Sequence, residues 1–154
     1  MGYIIKSNAV GTPSAASTNH LVATIDLTSA TWNTAASHEV FTVTGLVRVK
    51  MWIECTENVA GAGSIQFGLE GTTAGFIAST VGTDLDANEL WYDATPTTVY
   101  EIADLVVMDY IVNNLDIGYE ITGAVLTDGT LAFHCVWEPM NSTGLVVLGA
   151  GGAL

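Results

Sequence analysis

Leu46-Val47-Arg48-Val49-Lys50-Met51-Trp52-Ile53-Glu54-Cys55-Thr56 decides the fold. Val47, Val49, Met51, Ile53 and Cys55 alternate with Arg48, Lys50, Trp52 and Glu54. Successive side chains of an extended chain point to opposite faces, so this pattern places one face in a core and the other at a surface. The stretch reads as a central strand, and it holds two of the three basic residues of the whole chain. A partner with the same alternation lies near the C-terminus. In Leu131 to Glu138, the residues Leu131, Phe133, Cys135 and Trp137 alternate with Ala132, His134, Val136 and Glu138.

Further strands are expected around this pair. Leu21 to Leu27 is a candidate, followed by a polar connection holding Trp32. His38 to Thr44 then leads through Gly45 into the central strand. Glu57 to Gly63 contains two glycines and reads as a turn, after which Ile65, Phe67 and Leu69 alternate with Ser64, Gln66 and Gly68. Short strands are predicted over Ala74 to Thr80, Leu90 to Tyr92 and Thr98 to Ile102, with one helical turn over Asp84 to Leu90. Leu105 to Val112 turns at Asn113-Asn114 into Ile117 to Leu126. Asp128-Gly129, between Val-Leu-Thr and Thr-Leu-Ala-Phe, is a two-residue hairpin signal, because a type I′ turn needs positive φ at both centres. Strand runs at this spacing with no sustained helical period predict an all-β protein, an antiparallel sandwich or jelly-roll-like barrel. Residues 1–20 are expected to form an extended N-terminal arm, with 21–154 a single β domain. Tyr3, Ile4 and Ile5, followed by Lys6, suit an arm that orders on a neighbour better than a solvating tail. The closing Gly144 to Leu154 reads as a last strand and a flexible Gly-Ala tip.

Hydrophobic residues make up 49% of the 154 residues and charged residues 12%, which favours neutral strand faces buried against other copies or another protein. The net charge of −13 repels phosphate backbones and anionic headgroups, arguing against nucleic-acid and membrane partners. The N-terminus lacks the basic and apolar regions of a signal peptide, an expectation that fits synthesis in a cytoplasm. Cys55 and Cys135 sit on the two predicted core faces, where they either pair across adjacent strands or stay as buried thiols.

No catalytic motif is evident, and no enzyme activity or cofactor is expected. His134 and Cys135 are consecutive in a strand and so point to opposite faces, which separates them as a catalytic pair. His20 and His38 fall in or beside polar connections. Asp84, Asp86 and Asn88 offer oxygens at alternate positions, but Glu89 and Thr95 stand where a calcium loop of the EF-hand type needs glycine and glutamate. A calcium site of other geometry and a plain turn or cap are the alternatives there. Trp52 and Trp137 lie within strongly alternating strands, which assigns them to core or inter-sheet packing, leaving Trp91 and Tyr92 as the surface aromatic pair. Arg48 and Lys50 form either an anion-binding or partner-binding patch or a set of ion pairs.

The stretch Thr83 to Pro96, TDLDANELWYDATP, together with Leu131 to Pro139, LAFHCVWEP, resembles small β-rich structural proteins encoded among the virion genes of tailed bacteriophages. The likeness spans about the last two-thirds of the chain. It implies a virion protein made in the host cytoplasm, a capsid-decorating or cementing subunit that forms a homotrimer and binds the major capsid protein. The alternative is a carbohydrate- or receptor-binding β module, as at a fibre tip, using Trp91, Tyr92 and neighbouring acids.

Overall fold

The computed structural model describes residues 19–93, 95–98 and 108–154. Tyr3, Ile4, Ile5 and Lys6 of the expected arm lie outside the described residues. The strands are β1 (Asn19–Asp26), β2 (Ser37–Thr44), β3 (Leu46–Gly61), β4 (Ser64–Leu69), β5 (Thr72–Val81) and β6 (Glu89–Trp91). They continue with β7 (Thr97–Thr98), β8 (Met108–Asn113), β9 (Ile117–Thr122), β10 (Leu126–Pro139) and β11 (Leu145–Leu148). One sheet has the order β1-β10-β3-β6-β7 with β8 also on β3, and the other the order β11-β2-β9-β4-β5. Every pairing is antiparallel.

The pairings are nested in sequence. β4 pairs β5, β3 pairs β8, β2 pairs β9 and β1 pairs β10, as along one long hairpin. Rolling that hairpin brings β3 beside β10 and β4 beside β9, which closes the two sheets and gives the strand order of a jelly roll.

The alternation of the central strand is realised as predicted. Val47, Val49, Met51, Ile53 and Cys55 are wholly buried, and opposite them Leu131, Phe133, Cys135 and Trp137 enter the same core. The opposing sheet supplies Phe41, Ile65, Phe67, Ile117, Tyr119 and Ile121. Phe133 links the layers, its ring 5.6 Å from Tyr119 in a stacked arrangement and 5.4 Å from Phe67. Burying each such side chain contributes about 1.5–3 kcal/mol, so this double row dominates the stability of the sandwich. The Tyr119 hydroxyl donates to the Trp32 carbonyl at 2.6 Å, fastening the β1–β2 connection over the core.

Several expectations are corrected. β3 continues to Gly61 instead of turning at Glu57, because Glu57, Ala60 and Gly61 stay paired with Thr130, Asp128 and Leu126 of β10 across register shifts that skip Asn58 and Val59. β1 starts at Asn19, so Asn19 and His20 belong to the sheet and not to an arm. The final Gly-Ala segment is fastened along β2, with the Glu39 N–H donating to the Gly152 carbonyl at 2.9 Å and Leu154 bonded to Ser37. Cys55 faces Leu131, four residues out of step with Cys135 on β10. At about 3.4 Å per residue the two cysteines are too far apart for a disulfide, and both are free thiols. Burial raises the Cys55 thiol to about 11 and the Cys135 thiol to about 12, leaving both protonated and unreactive.

Asp128-Gly129 is not a hairpin turn. Both residues lie inside β10, where the pairing with β3 shifts register, and the chain reverses earlier, at Gly123-Ala124. Gly129 has φ +112° because the extra residue of the bulge must bend toward β3, and a Cβ there would stand 2.7 Å from the Cα of Val59. Gly123, at φ +82°, has open space around it. Gly129→Asn is therefore expected to cost more than about 2 kcal/mol in urea denaturation, with Gly123→Asn costing less than about 1 kcal/mol. The reverse ranking would restore the hairpin at Asp128.

Candidate functional site

The outer face of the β1-β10-β3-β8 sheet gathers the ionisable and aromatic side chains of the central strand. Register places His134 of β10 directly opposite Trp52 of β3, and Glu138 opposite Arg48. β1 adds Val22 opposite His134 and His20 opposite Val136, while β8 adds Asp109 opposite Lys50 and Ile111 opposite Arg48. Cross-strand neighbours on one face interact directly, so two clusters form.

The first is an indole–imidazole stack. The His134 ring lies 4.8 Å from the Trp52 ring with an interplanar angle of 10°, and His20 closes the group at 5.4 Å from His134. The His20 Nε2 and His134 Nδ1 atoms are 3.2 Å apart, one donating to the other according to tautomer. On its far side the His134 Nε2 atom is buried and sits 3.6 Å from the Glu54 carboxylate, an electrostatic contact rather than a hydrogen bond. Burial holds the His134 imidazole below its ordinary value; repulsion from His20 adds to this and Glu54 opposes it.

The second cluster is an ion-pair ladder. Arg48 grips Asp109 with two bonds, Nε to Oδ1 at 3.0 Å and Nη2 to Oδ2 at 2.8 Å, and reaches Glu138 at 3.5 Å. Lys50 stands 4.0 Å from the same Asp109 carboxylate. The bonds to Arg48, with the charges of Arg48 and Lys50, hold Asp109 below the usual carboxylate range, and the Asp109 bonds raise Arg48 in turn. All four groups are exposed to solvent, which screens them, so the ladder orders the face more than it stabilises the fold. Arg48 and Lys50 are thus engaged by acids of their own chain, the ion-pair alternative of the two set out for them.

Trp91, expected at the surface, is fully buried. It faces Ile53 across β3–β6, so it follows Ile53 into the core, and its Nε1 donates to Thr80 Oγ1 at 3.0 Å. Tyr92 is half-buried at the strand end. Trp52, conversely, lies on the outer face and not in the core. His20 and His38 both sit in strands, and His38 is buried against Tyr119 with its Nε2 2.9 Å from the Thr34 carbonyl.

In the acidic loop, Gly82–Asp84 forms one 3₁₀ turn, shorter and earlier than the turn predicted over Asp84 to Leu90. The Asp86 N–H binds the Glu89 carboxylate at 3.0 Å, the Ala87 N–H binds Asn58 Oδ1 at 2.8 Å, and Asn88 adopts φ +73°. Leu85 between them is fully buried, which turns Asp84 and Asp86 outward as exposed residues. These bonds cap a turn, and among the described residues no group of three or more His, Cys, Asp or Glu side chains is arranged to hold a metal ion.

The lowered His134 value means that, just below about pH 6.5, the unfolded chain binds more protons than the folded one. Stability associated with His134 is present above that pH and is lost as the pH falls through it toward the folded value. The depressed carboxylates Asp26 and Asp109 lose their contribution only in the lower, carboxylate range. Thermal melts between about pH 7.5 and pH 5 should therefore show a falling Tm in the wild type and a flatter profile in His134→Gln. Superimposable profiles would contradict the burial of this imidazole.

No family model matches the chain, and no curated protein or solved structure does either.

Proposed function

We propose that the chain is a virion structural subunit of a tailed bacteriophage, one that self-associates and decorates or cements the capsid shell. One observation carries the proposal: large apolar side chains are left on the strand surfaces and edges of a closed sandwich. Ile111 is 64% exposed beside the ion-pair ladder, Leu148 is 53% exposed on the edge strand β11, and Val22, Leu145 and Val147 are also exposed. Apolar surface of this kind on a well-packed domain marks contact with other protein. The cations of the outer face are already paired within the chain, so the surface is suited to neutral, shape-matched contacts of the kind found at assembly interfaces.

The carbohydrate-binding alternative relied on Trp91 as a platform for a sugar ring. With Trp91 in the core and Trp52 covered on one side by His134, no observation favours that reading over assembly.

In the proposed role, residues 1–12 serve as the arm that reaches the shell or a neighbouring subunit. Deleting them is expected to weaken co-sedimentation with undecorated shells at least about tenfold, the loss of about 1.4 kcal/mol of contact. The circular dichroism spectrum should be unchanged, since the described core begins at β1. Undiminished shell binding by the deletion variant would contradict the role of the arm, and absence of binding by the full chain would contradict the virion reading.

A further inference from the structure

β11 is the last strand of its sheet, and among the described residues it pairs with β2 alone. The direction of its backbone groups follows from its neighbours. The Val43 N–H donates to Asp116 Oδ1 at 2.8 Å and the Gly45 N–H to Asn114 Oδ1 at 2.7 Å, so both point away from β11. The Gly149 N–H donates to the Val40 carbonyl at 2.8 Å, so Gly149 points toward β2. Backbone direction alternates along an antiparallel ladder. Leu145 and Val147, which share the parity of Gly149, therefore bond to β2, and Val146 and Leu148 turn their N–H and C=O groups to the open edge.

The same strand is exposed and apolar, with Leu145 at 46%, Val147 at 43% and Leu148 at 53% exposure, and only Val146 in the core. No charged residue occurs from Pro139 to Leu154 in a chain of net charge −13. Two copies repel each other over most of their acidic surface, and this edge is where they can meet without opposing carboxylates of their own strands.

We infer that β11 pairs with β11 of a second copy across a two-fold axis, merging two five-stranded sheets into one of ten strands. The axis passes beside Val147, which faces Val147 of the other copy as a non-hydrogen-bonded pair. Val146 then stands opposite Leu148 of the other copy, and these two residues exchange the N–H and C=O groups that the open edge leaves unpaired. On the outer face, Leu145 and Val147 of both copies form one apolar cluster. On the inner face, Leu148 of each copy covers Val146 of the other. One register thus satisfies the free backbone groups and covers all three exposed apolar side chains, and a two-fold contact of this kind is self-complementary and closed. It replaces the three-fold arrangement that the phage resemblance implies, and it holds whether or not the chain attaches to a shell. Four residues a side bury less than the standard interface of about 1,600 Å², so the pairing is concentration-dependent.

The test is the solution mass of the full chain by light scattering from about 10 µM to about 1 mM, the span in which an interface below standard size associates. The wild type is expected to rise from 16.1 kDa toward twice that mass. Leu148→Pro removes an N–H that points to the open edge and leaves the β2 bonds intact, a position where strands tolerate proline. Val147→Lys places two ammonium groups face to face across the axis on an exposed side chain, and it carries the test if the proline variant unfolds. Both are expected to raise the dissociation constant at least tenfold with unchanged melting temperature. A wild type that stays monomeric throughout, or a trimer indifferent to both substitutions, overturns the proposal. So does an oligomer that survives both variants and is lost on deleting residues 1–12, which would assign association to the N-terminal segment.

Discussion

The antiparallel pairing of β3 with β10 is the constraint on which the rest depends. From Leu131 opposite Cys55 to Pro139 opposite Val47 the register runs without a shift, so every side chain on this stretch is committed to one face. A slip of β3 by one residue would carry Arg48, Lys50 and Glu54 into the core and expel Met51, and a slip of β10 would bury Glu138 and expel Phe133. Burial of unpaired charge is costly enough that no such alternative competes. β1 extends this pair on one side and β8 and β6 on the other, while Phe133 reaches across to Tyr119 and Phe67 to bind the second sheet.

The same register determines what the surface offers. By setting Arg48 beside Glu138, together with the β3–β8 pairing that brings Asp109 to Arg48 and Lys50, it spends the basic residues of β3 on internal ion pairs. By setting His134 against Trp52, it covers the indole face that would otherwise be open for stacking. Among the described residues, the apolar side chains that stay exposed include Ile111 and Val22 on this face and Leu145, Val147 and Leu148 on the edge strand β11. The jelly-roll closure leaves the outer strands of each sheet as natural places for another chain to add, and β11 is an edge without the charges, prolines or bulges by which strands are ordinarily protected from pairing. The proposed assembly role rests on these features.

Much of this architecture was legible because period-two alternation is a strong signal over eight or more residues. Leu46 to Thr56 and Leu131 to Glu138 carry it, and their core-facing residues are buried as the alternation requires, although β3 and β10 both run beyond these stretches and Ala132 is buried as well. Short runs carry too little pattern: Trp91, in a strand of three residues, took its direction from Ile53 across the sheet, information that the Leu-Trp-Tyr run does not contain. Asp128-Gly129 misled because the positive φ that glycine supplies serves a bulge as well as a hairpin, and only the pairing of β10 with β3 distinguishes the two. The His20–His134–Trp52 group was not readable from any one strand, since cross-strand neighbours exist only once register is known. His20 of β1 was assigned to the arm for a related reason: its polar flank obscured a strand that begins before the apolar residues do, whereas His38 opens the run read as leading into the central strand.

Residue-resolved amide hydrogen exchange under native conditions tests the central place of the β3–β10 pair most directly. The amides of Val49 to Ile53 and Phe133 to Trp137 that bond within this ladder should exchange only through global unfolding, with the highest protection in the protein, while β5 and β11 open at lower free energy. Rapid exchange at the centre of β3, or highest protection in β5 or β11, would contradict the account.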